Sequence, residues 1–376
     1  MKLFHISDLH LGKRVYEFSM LEEQKELLQT ILDKTEEEHP DVMLITGDIY
    51  DKPIPPIEAV KLLDWFLTEL AQRKLPVYMI AGNHDSAQRL EFGKDILAEN
   101  GIHIAGNIRE KMDCFIENDA FGEVKIWLMP FFKPAHVQAI LGESFSSSTD
   151  AAKALLEREE IDYIERNIIL VHQFVTWKGE AERSDSEMVS LGGTEEIDAS
   201  LFFDFDYAAL GHLHGPQRMG KETVRYAGSP MPYSFSEIRQ KKGITVVELK
   251  EKGDISINSI PLETKRKYRE IRGPLQALIT AAKQEDTSED YIRCILTDEE
   301  AMLDPVGQLR SVYPNLMTLE FEAKDKKEEQ DLTLNTEDLQ PEELFALFFE
   351  KQNNREMNEE QKNLSDKIWK GLEGTE

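Results

Sequence analysis

The sequence predicts an α/β fold, with sheet layers inside and helices outside, followed by a small second α/β unit and a helical tail. Three observations predict it. Through the first hundred residues, short apolar runs alternate with longer amphipathic ones, the signature of βαβ units. From residue 101 the apolar runs become more frequent and mostly strand-like. The 376 residues leave room for two or three domains of about 150 residues each.

Taken in order, residues 2–7 (KLFHIS) read as a buried strand. Residues 18–38 read as a helix, because Met20, Leu21, Leu27, Leu28, Ile31 and Leu32 recur at helical spacing ahead of a solvated acidic end. Residues 42–46 (VMLIT) are a second strand. Residues 56–73 form a helix with Pro56 near its first turn, where a missing N–H costs nothing. Residues 76–81 (PVYMIA) are a third strand and 87–99 a further helix. Strands are then expected at 102–105, 112–117 and 124–129, a helix at 149–160 and a strand at 167–172 (NIILVH). The polar, glycine-containing stretch 178–193 reads as a long loop, followed by strands near 206–210, 222–227 and 243–250.

Residues 1–262 are thus expected to form one domain and 263–324 a second. The second starts with a basic strand (KRKYREI, 265–271) and continues with a helix (274–284), a strand (291–297), a helix (305–312) and a strand (316–323). Residues 325–376 are expected to be a linker and a tail, the charged linker spanning 324–332. Two amphipathic helical stretches follow, one with Leu344, Phe345, Leu347, Phe348 and Phe349, the other with Leu364, Ile368, Trp369 and Leu372.

Composition excludes several classes. Hydrophobic residues make up 40% and charged residues 31%, too apolar for a disordered chain. No apolar run approaches the roughly 18 residues of a membrane span. Two cysteines, Cys114 and Cys294, cannot build a disulfide framework, and the N-terminal residues carry no signal-peptide core, so the expected setting is cytoplasmic. With 44 Lys and Arg against 72 Asp and Glu, the net charge is −28. A broad basic face for coating nucleic acid is therefore not expected.

The chemistry sits at predicted strand ends, where loops of layered α/β folds converge on ligands. Asp8-Leu9-His10 follows the first strand, Gly47-Asp48 the second and Gly82-Asn83-His84-Asp85 the third. His172 ends the strand 167–172, and Gly211-His212-Leu213-His214 follows 206–210. Each alone is more simply read as a turn or a buried histidine, and His212-x-His214 alone is an even choice. Together they supply carboxylates, an amide oxygen and imidazoles, a mixture that suits Mn²⁺, Fe²⁺ or Zn²⁺ rather than a thiolate-bound ion. The supply is too rich for one metal and fits two sharing a carboxylate, a known device for displacement at phosphorus. The glycines at 47, 82 and 211 are expected to let the chain turn sharply before each ligand.

The order D-x-H, G-D, G-N-H-D, H, G-H-x-H resembles the calcineurin-like metallophosphoesterases. SDLHLG (7–12), GDIYD (47–51), AGNHD (81–85), VHQF (171–174), DYAALGHLHGPQ (206–217) and YAGSPMPYSFSE (226–237) are similar to the SbcD branch of that superfamily, bacterial nucleases that process DNA double-strand breaks. The resemblance implies a metallophosphoesterase β-sandwich flanked by helices, a capping domain that meets DNA, and a tail that docks on a coiled-coil ATPase of SbcC type. It also implies a 3′–5′ double-strand exonuclease and single-strand endonuclease using two Mn²⁺, dimeric within a heterotetramer. Residue by residue, Asp8, His10 and His214 would hold one metal, Asn83, His172 and His212 the other, and Asp48 would bridge. His84 would be the acid–base residue and Asp85 would orient it. Two other readings stay open: a small-molecule phosphodiesterase sharing the metal motifs, and a non-catalytic DNA-end adaptor. Lys13, Arg14, Arg89 and the run Lys265-Arg266-Lys267 are weaker candidates for phosphate contacts.

Overall fold

A computed structural model describes residues 1–187, 196–283, 288–298, 302–322, 341–353 and 355–373. The expected linker 324–332 and the end of the loop 178–193 lie outside the described residues. The chain divides into two compact units, Met1–Glu322 and Ala323–Glu376.

Among the described residues, the first unit holds two six-stranded sheets, a three-stranded one and two two-stranded pairs. The first sheet contains β1 (Lys2–Ile6), β2 (Val42–Thr46), β3 (Val77–Ile80) and β4 (Ile102–Ala105), all parallel. The second contains β5 (Asp113–Asp119), β6 (Gly122–Met129), β7 (Arg166–His172), β8 (Tyr207–Gly211), β9 (Gln217–Met219) and β10 (Lys221–Tyr226). Within it β6, β7, β8 and β10 run parallel, and antiparallel β5 and β9 form the edges. β11 (Gly243–Leu249) and β12 (Ile255–Pro261) then return to the first sheet and pair antiparallel beside β1.

Alternation along the strands explains the layering. In β1, β2, β3, β6, β7 and β8, alternate residues point to opposite faces. Leu3, Leu44, Tyr78, Ile126, Leu128, Ile168, Leu170 and Ala209 form one cluster between the sheets. The intervening Phe4, Ile6, Met43, Ile45 and Met79 pack on the helices Leu21–Glu38 and Ile57–Gln72 through Leu28, Ile31, Leu63 and Phe66. Ile169, Val171, Ala208 and Leu210 pack on the helix Ser148–Glu157 through Ala151 and Leu155. Strands apolar on both faces read as continuous hydrophobic runs, which is why 2–7, 42–46 and 167–172 were legible. At the start of β7, buried Arg166 holds Asp119 at 2.6 and 3.0 Å and donates to the Lys250 and Gly122 carbonyls, tying both sheets at the end remote from the parallel strands' C-termini.

The three-stranded sheet, β13 (Tyr268–Gly273), β14 (Tyr291–Leu296) and β15 (Leu316–Phe321), is parallel, with the helices Leu275–Ala282 and Pro305–Arg310 completing its core around Ile292, Cys294, Leu309 and Tyr313.

Some expectations need correcting. The helix expected over 87–99 is two short helices, Ala87–Leu90 and Lys94–Ala98, divided at Gly93, whose φ of 74° lies in the left-handed region. The helix Pro134–Leu141 and the edge strand β12 were not foreseen; β12 alternates half-buried with exposed residues and lacks an apolar run. The strand expected from residue 265 starts at Tyr268. Arg266 instead pairs with Glu22 at 3.4 Å and with buried Glu23, and Lys265 and Lys267 approach Glu26 and Glu263 at 3.8 and 3.9 Å. That basic run faces acids of its own chain.

In the second unit the described helices are Pro341–Asn353 and Glu359–Glu373, with a ring contact between Phe345 and Trp369. Among the described residues no helix is long and apolar enough to cross a membrane.

Candidate metal centre

The C-terminal ends of β1, β2, β3, β7 and β8 carry the motifs, and pairing puts these ends side by side. Gly211 is in register with His172 across β8 and β7, and Thr46 with Ile80 across β2 and β3. Past these ends the chain is strained. Asp8, His10, Asp48 and His212 have φ of 53°, 42°, 48° and 113°, values that non-glycine residues rarely adopt. Each costs on the order of 1–3 kcal/mol and persists only where the surroundings impose it. Here they do: the Asp8 N–H donates to the Gly47 carbonyl at 3.1 Å, and the His10 N–H to that of Asp48 at 2.9 Å. The His212 N–H donates to both Asp8 carboxylate oxygens, at 3.1 and 3.2 Å.

The glycines do not all serve as expected. Gly47 has a φ of 88° and makes a turn. Gly82 does not take a positive φ; it is needed for close approach, since a Cβ there would overlap Asp48 Oδ1.

The ring nitrogens are sorted by their partners. The Thr46 carbonyl accepts from His172 Nδ1 at 2.7 Å, and the Asp51 carbonyl from His84 Nδ1 at 2.9 Å, so both rings turn Nε2 toward the centre. Asn83 Oδ1 lies 3.1 Å from His172 Nε2 and 2.9 Å from His212 Nδ1. His10 Nε2 lies 3.1 Å from His214 Nε2. Asp48 sits between these groups, Oδ1 3.4 Å from His172 Nε2 and Oδ2 3.6 Å from His10 Nε2, and Oδ1 also accepts the His84 N–H at 2.9 Å. Among the described residues, potential ligand atoms gather in three overlapping sets: Asp8, His10 and His214; His10, Asp48 and His84; and Asp8, Asp48 and His172.

Burial sets the electrostatics. It pushes the Asp48 carboxyl up, but His172, His10 and His84 beside it hold it well below the usual range. Burial pulls His172 down, yet the Asp48 and Asp8 carboxylates raise it above its ordinary value. His10 is held well below, and His212 down to about 3, by burial. Asp8 is raised, also by burial.

The donor set fits divalent metal. Potential ligand atoms meet in pairs at about 3 Å, the separation of neighbouring ligands on an octahedral ion with bonds of about 2.1 Å. His10 Nε2 and His214 Nε2 face each other, and buried His10 Nδ1 has no hydrogen-bond partner. A cation between His10 Nε2 and His214 Nε2 satisfies both of these nitrogens at once.

The structure brings Asp8, His10, Asp48, Asn83, His84, His172, His212 and His214 together, and it gives Asp85 a different place. The Asp85 carboxylate accepts from the backbone N–H groups of Gly82 (2.8 Å), Ile49 (3.0 Å) and Tyr50 (2.9 Å), splinting the β2 and β3 loops together. It does not orient the His84 ring; Asp51 does, through its carbonyl. Asp51 also pairs with Lys13 at 2.8 Å and lies 3.7 Å from His10 Nδ1. Asp51 was the residue missed. Its place in GDIYD marked it as part of a motif, but a backbone role leaves no trace in side-chain type.

Residues 1–216 match the family model for calcineurin-like phosphoesterases, and residues 264–353 match a model described as a type 5 capsule protein repressor C-terminal domain. The chain therefore belongs to the calcineurin-like phosphoesterases, in the branch of the SbcD components of SbcCD nucleases. Within that branch, the SbcD component of the SbcCD nuclease of Staphylococcus epidermidis is 32% identical over 324 residues, 85% of either chain. Its namesake from Staphylococcus saprophyticus is 31% identical over 323 residues, 85% of this chain and 84% of its own. Among solved structures, a dimetal phosphatase from Danio rerio covers 70% of this chain and 98% of its own at 13% identity, with a TM-score of 0.40.

Proposed function

We propose that this chain is the nuclease component of a DNA-processing complex and hydrolyses phosphodiester bonds at a site for two metals. The observation that carries the reading is the convergence of six donor residues around Asp48 at the strand ends of both sheets. Asp8, His10 and His214 would hold one metal, Asn83, His172 and His212 the other, with Asp48 shared, and Mn²⁺ suits this mixture of oxygen and imidazole. When bound, the metals supply a water of lowered pKa and offset charge on the phosphoryl oxygens.

The protein's own groups do the rest. His84 presents Nε2 to the centre and delivers the proton to the leaving oxygen, a task suited to imidazole near neutral pH. The Asp51 carbonyl fixes its tautomer and direction. Asp85 keeps the loops of Asp48 and His84 at fixed spacing.

The residues 263–324 are proposed as a capping domain near DNA, and 325–376 as linker and docking tail for a coiled-coil ATPase. Support for the tail comes from Phe348, Leu364 and Ile368, whose apolar side chains are more than half exposed. A dimer in a cytoplasmic heterotetramer completes the proposal.

The test compares plasmid, linear duplex and bis-p-nitrophenyl phosphate with Mn²⁺, with and without the ATPase. Metal-dependent cleavage of DNA is expected. Turnover of the small ester alone would point to a small-molecule phosphodiesterase, and no turnover of either to an adaptor.

A further inference from the structure

We propose that Ser186 and Glu237 form a positioning relay that fixes the metal-facing tautomer of His214. The inference rests on the metal-site reading above and assigns a task to two residues outside the ligand set.

Ser186 Oγ lies 2.8 Å from His214 Nδ1 and donates its proton to Glu237 Oε1. A hydroxyl has a single hydrogen, and an ionised carboxylate only accepts. With the Ser186 proton committed to Glu237, the hydroxyl receives from His214, so Nδ1 carries the hydrogen and the lone pair is on Nε2. Nε2 is the atom that faces His10 across 3.1 Å. The direct approach of Glu237 Oε1 to Nδ1, at 3.4 Å, favours the same tautomer.

The relay is anchored behind. Glu237 is fully buried and paired with Lys242 at 2.6 Å, itself only 5% exposed. The Lys242 ammonium also donates to the His214 carbonyl and to Ser229 Oγ, both at 2.8 Å. The His214 N–H donates to Glu187 Oε1 at 2.7 Å. Ring, N–H and carbonyl of one ligand are thus each held by a different residue. Such outer partners set ligand basicity and direction, and their loss typically lowers metal affinity about 10–100-fold. Glu237 stands in YAGSPMPYSFSE, a motif that supplies no proposed metal ligand.

The test is Mn²⁺ titration calorimetry on the full chain, with thermal melting of the metal-free form alongside. Ser186→Ala is expected to weaken one of two Mn²⁺ sites about 10–100-fold with little change in metal-free melting, and Ser186→Thr, which restores a hydroxyl, to recover most of it. Glu237→Gln is expected to weaken the same site. Because it also leaves Lys242 unpaired, Ser186→Ala decides the matter if that variant does not fold. A Ser186→Ala chain that binds two Mn²⁺ as tightly as wild type, or one that loses melting temperature but not affinity, overturns the relay alone. A wild-type chain that binds no Mn²⁺ overturns the metal-site reading and the relay with it.

Discussion

Asp48 and His84 are neighbours whose proposed tasks are separable. Asp48 lies between the His10 and His172 rings, and both its oxygens approach imidazole nitrogens. Asp48→Ala is expected to remove both sites in Mn²⁺ calorimetry, and one unaffected site would refute sharing. His84 turns Nε2 toward the same space, held by a bond to the Asp51 carbonyl at 2.9 Å. His84→Ala is expected to bind Mn²⁺ within a few-fold of wild type and to lose about 10²-fold or more in turnover, the usual size of a general-acid contribution. Loss of binding as well would place His84 among the ligands.

At the scale of elements, the parallel strands deliver the site at one end while their opposite ends carry the structural load. Asp119 closes β5 and pairs with Arg166 at the start of β7. The Arg166 hydrogen bonds hold the Asp119 carboxyl below the usual carboxylate range, against some opposition from burial. The sign follows: a carboxyl whose folded pKa is depressed stabilises fully above its unfolded value of about 4, and that contribution fades as pH falls through the folded pKa. Asp119→Asn is expected to cost about 1–3 kcal/mol at pH 7, a drop of several degrees in melting temperature. The difference from wild type should shrink steadily below pH 4. Metal affinity should stay unchanged, since the strands keep this pair far from the centre. An equal deficit at pH 7 and pH 3 would contradict the ion pair.

At the scale of the whole molecule, the net charge of −28 governs how DNA would be met. The densest basic run is turned toward Glu22, Glu23, Glu26 and Glu263, and Lys13 is paired with Asp51. Those side chains are not a free phosphate-binding stripe. Long-range repulsion should dominate until a phosphate reaches the metals or a partner supplies the grip. The isolated chain is therefore expected to bind duplex DNA weakly and to lose binding steeply between about 50 and 200 mM salt, as read by fluorescence anisotropy. Tight, salt-insensitive binding would contradict this balance.

The sequence alone determined the available donors: their types, their order, and their places after strands that were legible because both faces are apolar. A strand such as NIILVH announces itself locally, and so does a motif such as GNHD. Tertiary structure decided which atom meets which. Asp85, next to His84 in sequence, turns away to three backbone N–H groups, and Asp51, more than thirty residues earlier, supplies the orienting carbonyl. Ser186 and Glu237 reach His214 from separate segments of the chain, and Arg266 pairs with the first helix. The physical reason is that residue type fixes what a group can donate or accept, whereas contacts between distant segments depend on how two six-stranded sheets pair and stack, and no local pattern encodes that.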